Sequence, residues 1–464
     1  MAIAFSPVLR NGFTNLDEPA MILENPWVQE LSWESVRAMF TRSFHYTYSP
    51  LAFLLFAVEK RVFGLEPAWF HGTTLLLHLA ATLLVGAWVT ALTGDRRVAL
   101  GTALVFGLHP LQVESVAWAT GQRTVLFGLF FFAALAAFTR FEAERRPGWH
   151  RLAMGCLAAS LLAKGLAFTF PVVILLQRWF APPPHPAARP ADLAPAVALS
   201  GAAALVAWGA AAPQMPVVDT WERILVAGHG FLFSLASFLW PVGLSCAYPY
   251  PAGAATGFPT AFQAAPFLLA GLGLAVVAGR RRFPGLAFGA GFFAITLLPV
   301  SQLVTVGVRI TASDHFLYVP LAGLAFVLAR TAVAAEGRWS RRLPWLAVPL
   351  LAALALLTWH QCQVWQDSRT LFGHTLARYP DLAFARHQLG VALLREEAWE
   401  EAAAQFTRLL EADPADLDAR VGRAAARVGA GDWAAARADL AEVRRRDPAH
   451  PGARALEAVL PPPP

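Results

Sequence analysis

The chain has 464 residues, 56% of them hydrophobic and only 15% charged, with a mean hydropathy of +0.48 and a net charge of +6. A soluble domain averages roughly 25% charged residues, so an entirely soluble protein is excluded. Nucleic-acid binding is disfavoured as well, because no basic face accompanies the excess of arginine, and the three cysteines (Cys156, Cys246, Cys362) lack metal-ligand spacing and read as packing residues or free thiols.

In chain order, residues 1–67 are a polar and amphipathic segment holding Asp17-Glu18 and Glu24-Asn25-Pro26. Adjacent carboxylates of this kind are either a solvated acidic loop or a general base, since like charges raise one pKa toward neutrality. Apolar runs able to cross a ~30 Å hydrocarbon core follow at 69–92, 126–141, 193–212, 261–278, 286–300, 319–333 and 343–359. Two further candidates are interrupted, 98–118 by His109-Pro110 and 152–179 by Lys164 and Pro171. The half-apolar stretch 221–250 either lies along the interface or crosses.

Arginines cluster in short loops at Arg96-Arg97, Arg145-Arg146 with Arg151, Arg280-Arg281-Arg282, and Arg338 with Arg341-Arg342. The positive-inside rule places these in the cytoplasm. Residues 1–67, 109–123 and 301–318 then face outward, and the last span carries the C-terminal region to the same side. An outward first loop needs a preceding transmembrane helix or signal, which residues 1–10 are too short to supply, so a further helix is expected upstream.

Ionisable groups at membrane depth cost about 2.5 to 3.5 kcal/mol each on insertion scales. His109, Glu114 and Arg123 fall in one such stretch; Glu114 and Arg123 either pair with each other, or Arg123 forks a lipid-linked phosphate. Lys164 either snorkels to an interface or serves as a phosphate counter-charge. Asp314, beside His315, either caps the helix that follows or joins a polar cluster with the first two outward loops. His71 and His78 share a helical face, but with no third ligand in phase, His45 included, they do not read as a metal site. No Gly-rich phosphate loop, nucleophile elbow or HExxH occurs.

Beyond residue 360 the composition becomes soluble. Pro380, Pro414 and Pro448 recur every 34 residues, as do Trp399 with Trp433 and Ala402 with Ala436. That is the period of tetratricopeptide helix pairs, whose concave groove takes extended peptides. Two repeats plus a preceding helix are near the minimum, so a structural cap without a ligand stays open beside a peptide-binding arm.

Several segments together resemble the transmembrane-and-tetratricopeptide O-mannosyltransferase-like proteins of the GT-C glycosyltransferase class. They are GFTNLDEPAMILENPWV with LSWESVRAMF, HPLQVESVAWATGQRTVL, LLAKGLAFTFPVVILLQR, DHFLYVPLAGL and WQDSRTLFGHTL, in that order over nearly the whole chain. The resemblance implies an all-α fold: an outer catalytic loop over 1–66, a polytopic GT-C-like transmembrane bundle over 67–359, and a short tetratricopeptide α-solenoid over 360–460. It implies transfer of a mannose-like hexose, with inversion, from a polyprenyl-phosphate donor to Ser/Thr hydroxyls of exported proteins. Asp17 is then the base with Glu18 its neighbour; Arg123, Lys164 and His315 contact the donor phosphate; His109, Glu114, Asp314 and Tyr318 support. Neither metal nor cofactor is implied, the lipid-linked sugar being a substrate. The setting is a bacterial inner membrane, multi-pass, with loop and repeats outside.

The chain departs from the family pattern at Gly121-Gln122-Arg123-Thr124, where the family has Glu-Arg-Lys-Asp, at His315 in place of Arg, and at Gln177 in place of Asp. A non-catalytic scaffold for envelope assembly and a lipid-linked glycan ligase or flippase remain alternative readings.

Overall fold

A computed structural model describes the chain except residues 46, 183–188, 211–218, 252–256, 304–310, 340–342 and 462–464. Arg341-Arg342 and the last three prolines therefore lie outside the described residues. Among the described residues every regular element is helical, apart from one isolated bridge between Phe44 and Thr47. The chain divides into two compact units: residues 1–12, 18–244 and 248–363 form one, and 13–17, 245–247 and 364–464 the other.

The first unit is an all-α membrane bundle. Its helices are α1 (Trp33–Thr41), α2 (Pro50–Phe63), α3 (Pro67–Thr93), α4 (Arg96–Leu108), α5 (Gln122–Glu144), α6 (Pro147–Ala163), α7 (Phe170–Phe180), α8 (Ala194–Ala210), α9 (Thr220–Leu239), α10 (Thr260–Gly279), α11 (Pro284–Leu297), α12 (Leu321–Trp339) and α13 (Leu343–Val364). Among the described residues five segments, Pro67–Thr93, Ala119–Glu144, Thr220–Leu239, Thr260–Gly279 and Trp345–Val364, are long and apolar enough to cross a membrane. Local chemistry sets the boundaries. Pro67 opens α3 with its φ already helical, Gly94 closes it at φ 69°, and the Asp95 carboxylate then caps α4 by accepting from the Arg97 amide at 2.9 Å. Gly289 and Gly323 let α11 and α12 touch backbone to backbone; a Cβ on either would lie 2.5 Å from the other's carbonyl oxygen.

The interrupted run 152–179 is two helices rather than one span. Beside α5, Ser160 donates to the Phe127 carbonyl at 2.8 Å and Lys164 to Thr124 at 2.9 Å, so α6 runs antiparallel to it. Gln177 then reaches Thr139 at 2.8 Å and Arg178 reaches Glu142 at 2.6 Å, so α7 runs parallel to it. The reversal occurs at Lys164, whose extended backbone ends α6 before Gly165, with Pro171 in the first turn of α7. Lys164 is thereby placed at an apex near the start of α5.

Helix α9, over the half-apolar stretch, satisfies the length and composition of a span, yet both its ends meet the same end of the bundle. Glu222 accepts from Tyr250 at 2.7 Å, Thr311 donates to the Pro249 carbonyl at 2.8 Å, and the Phe238 carbonyl meets His109 at 3.0 Å. The helix therefore lies along that end of the bundle.

The second unit consists of α14 (Ser368–Arg378), α15 (Ala383–Arg395), α16 (Trp399–Ala412), α17 (Leu417–Gly429), α18 (Trp433–Arg446) and α19 (Pro451–Glu457). Phe406 fills the space left by Gly390 and Gly422, where added Cβ atoms would approach its ring to 2.7 and 2.4 Å. Arg386 and Arg420, one period apart, donate to the carbonyls of Pro380 and Pro414 and tie each proline turn to the next helix. Asp439 is buried and held by Arg423 through two bonds of 2.9 and 2.6 Å and by Arg427 at 2.6 Å. The unit also takes up residues 13–17: Asn15 donates to the Gln388 carbonyl at 2.9 Å, and the Gln388 amide donates back to the Asn15 carbonyl at 3.0 Å.

Candidate functional site

At one end of the bundle, polar residues from four separate chain segments converge. Helix α4 stops at Leu108 because His109 precedes Pro110; the His109 Nδ1 accepts from the Leu111 amide at 3.3 Å, which leaves Nε2–H to donate to the Phe238 carbonyl. Two short turns then carry Glu114 and Trp118 inward before α5 begins.

The Glu114 carboxylate is buried and accepts three hydrogen bonds from one turn: from the Ser313 hydroxyl at 2.9 Å, the His315 amide at 3.0 Å and the His315 Nδ1 at 2.7 Å. Burial holds the His315 imidazole below its ordinary value of 6.5; Glu114 opposes the shift, and the charges of Lys164 and Arg123 add to it. Such a histidine is neutral at neutral pH. Asp314 does not cap the following turn, whose N-cap residue is Ser313. Its buried carboxylate instead accepts from the Tyr248 hydroxyl at 2.8 Å, and its pKa is raised well above the ordinary 3.8 by burial and by the charge of Glu114.

Tyr318 is fully buried beneath this layer. Its hydroxyl donates to His78 Nδ1 at 2.9 Å, the His78 Nε2 faces the Gly107 carbonyl at 3.2 Å, and its ring lies against Gly128, where a Cβ would sit 2.5 Å from it. His78 is thus committed to a hydrogen-bond chain, and His71 faces the Gly12 carbonyl at 3.4 Å.

Two cations belong to the same end. Lys164 donates to Thr124 at 2.9 Å with its ammonium 5.7 Å from the Phe316 ring centroid. Arg123 reaches the Thr120 carbonyl through Nε at 3.2 Å, keeping its guanidinium at the start of α5. Glu18 is buried and accepts from the Trp118 indole N–H at 3.1 Å, which ties the first loop to the Glu114 turn. The Trp118 ring is 5.4 Å from that of His315.

The structure therefore brings together Glu18, Glu114, Arg123, Lys164, Asp314, His315 and Tyr318, with His109 anchoring the turn that precedes them. Asp17 is half-buried and is grouped with the repeat unit, although Glu18 follows it directly. Sequence reasoning assigned no role to Trp118, Ser313 or Tyr248. Trp118 lay inside the motif ESVAW, four residues after Glu114, and Ser313 directly precedes Asp314; nothing local marks Tyr248.

The chain is similar to curated protein O-mannosyl-transferases. It is 32% identical to Protein O-mannosyl-transferase TMTC2 of Mus musculus over 157 residues, covering 32% of this chain and 18% of the relative. The Homo sapiens protein of the same name is 31% identical over 157 residues with the same shares, and Protein O-mannosyl-transferase TMTC1 of Mus musculus is 28% identical over 204 residues, 39% of this chain and 21% of the relative. The chain thus spans about a fifth of the length of the curated relatives it matches. No family model and no solved structure matches it.

Proposed function

We propose that this chain is a multi-pass membrane glycosyltransferase that moves a mannose-like hexose from a polyprenyl-phosphate donor to Ser or Thr hydroxyls of exported proteins, with inversion. The observation that carries the reading is the single layer in which Arg123, Lys164 and the Glu114-bound His315 meet Glu18 through Trp118. Two fixed cations at the start of α5 suit a phosphate leaving group. The names of the relatives supply the reaction class.

In the proposed step an acceptor hydroxyl oxygen attacks the anomeric carbon from the face opposite the phosphate. The carbon–oxygen bond to phosphate breaks and its electron pair stays on the phosphate, where Arg123 and Lys164 balance the charge. The hydroxyl proton passes to Asp17. Glu18, held by the Trp118 N–H, positions the loop that bears Asp17. His315 lines the same layer without charge, and Glu114, Asp314, Tyr318 and His109 hold its shape. A polyprenyl-phosphate hexose is the only small-molecule substrate required; no cofactor enters. The setting we infer is a bacterial cytoplasmic membrane, with this layer on the outward side. The repeats hold an extended acceptor segment and raise its local concentration; their grip on residues 13–17 through Asn15 and Gln388 is the mode of contact expected.

The test is transfer of labelled hexose from polyprenyl-phosphate donors to protein in membranes containing the wild type, Asp17→Asn or Glu18→Gln. The wild type should transfer, and Asp17→Asn should lose 10²- to 10⁴-fold, the span of a general base. Undiminished transfer by Asp17→Asn removes its role, and wild-type transfer to glycan instead of protein favours the ligase reading.

A further inference from the structure

We infer a second lipid site at the opposite end of the bundle, a cleft that holds one anionic glycerophospholipid with its phosphate on Arg140. The cleft lies between the last turns of α3 and α5, is about 320 Å³ in volume, and is lined by Ala87, Thr90, Ala91, Thr139, Arg140, Ala143 and Glu144. Both helices are long and apolar enough to span, so their ends lie at a bilayer boundary. Seventeen residues separate Arg123 from Arg140 along α5. At ~1.5 Å per residue that is about 25 Å, which puts this cleft in the other leaflet from the site described above.

The wall is apolar. Alanines leave the space, and the Thr90 and Thr139 hydroxyls are spent on the carbonyls of Gly86 and Leu135 at 2.8 and 2.7 Å. At the mouth, charge is unbalanced in one place. Arg145 pairs with Asp192 at 2.9 Å, Arg146 with Glu144 at 3.4 Å and Arg178 with Glu142 at 2.6 Å. Glu144 is satisfied further by the Trp149 indole at 3.1 Å. Among the described residues Arg140 alone of these four arginines has no acid or carbonyl partner. Its guanidinium lies 4.9 Å from the Trp149 ring centroid, with its N–H fork unspent. A guanidinium presents two parallel donors to a phosphate, an interfacial tryptophan sits at headgroup level, and a basic pocket between spanning helices is a known form of lipid headgroup site. An acyl chain in the alanine cleft supplies the apolar half of the match, within the size range of small-ligand pockets.

The experiment is native mass spectrometry of the intact protein released from micelles holding equal phosphatidylglycerol and phosphatidylcholine. One phosphatidylglycerol should be retained. Arg140→Ala, a change at an exposed side chain, should weaken retention about tenfold or more, as loss of charge-assisted bonds predicts. Ala91→Phe, which fills the cleft, should also weaken it, while Arg281→Ala, in a basic loop that does not line the cleft, should not. Melting of lipid-stripped protein should rise with phosphatidylglycerol and not with inorganic phosphate. Retention unchanged in Arg140→Ala, equal loss in Arg281→Ala, or equal protection by inorganic phosphate would each overturn the site.

Discussion

Glu59 offers a quantitative check on how the start of α5 is supported. Its side chain is buried in α2 and accepts from the Gln122 amide at 2.8 Å, one residue before Arg123. Burial raises its pKa from the ordinary 4.5 to about 7, against the lowering effect of its bonds from Gln122 and Thr73. The folded state therefore holds a proton that the unfolded chain releases. The sign follows: Glu59 imposes no penalty below pH 4.5, and stability falls as pH rises from there through about 7. A rise from 4.5 to about 7, at about 1.4 kcal/mol for each pH unit, is about 3 kcal/mol. Glu59→Gln has the shape of the protonated acid, keeps the oxygen that Gln122 needs and carries no charge. It should stabilise the protein by up to about 3 kcal/mol at pH 8 and by almost nothing at pH 4.5. The assay is denaturant unfolding of wild type and variant in detergent micelles between pH 4.5 and 8, scored by tryptophan fluorescence. A wild-type profile as flat as the variant's, or destabilisation by Glu59→Gln at pH 8, would refute the account.

Further outcomes test the site. Glu114→Gln loses the charge that three donors share and should cost about 1.5–3 kcal/mol; a double-mutant cycle with His315→Ala in the same unfolding assay should show coupling above about 0.5 kcal/mol, and additivity would contradict the geometry. Gly128→Ala places a methyl 2.5 Å from the buried Tyr318 ring and should destabilise by about 1–3 kcal/mol, read as a lowered melting temperature; an unchanged one would mean the ring moves freely. Arg123→Ala and Lys164→Ala should each raise the donor concentration needed for half-maximal transfer about tenfold or more while leaving acceptor dependence unchanged, and unchanged donor dependence in both would assign them to structure. Asp314→Asn keeps an acceptor for Tyr248 while removing a carboxylate whose raised pKa makes wild-type stability fall with rising pH; the variant should flatten that fall from the ordinary 3.8 upward, and a profile identical to the wild type would contradict the assignment.

The sequence by itself determined the membrane character, the helical class and the repeat unit, because each rests on local, additive properties. Apolar length decides what can lie in lipid, and a 34-residue period in Pro, Trp and Ala decides how helix pairs stack. The break at His109-Pro110 was legible for the same reason, since a proline removes a donor wherever it stands. The composition of 152–179 did not reveal that the run folds back at Lys164, because a reversal depends on what lies alongside: Thr124, Thr139 and Glu142 on α5. Only the tertiary structure decided the partners of the ionisable residues. Glu114 meets Ser313 and His315, roughly two hundred residues away. Asp314 meets Tyr248, and Glu18 meets Trp118, across 66 and 100 residues. Burial makes a partner valuable to each such group, but which partner it meets depends on helix packing, and packing is a property of the whole chain.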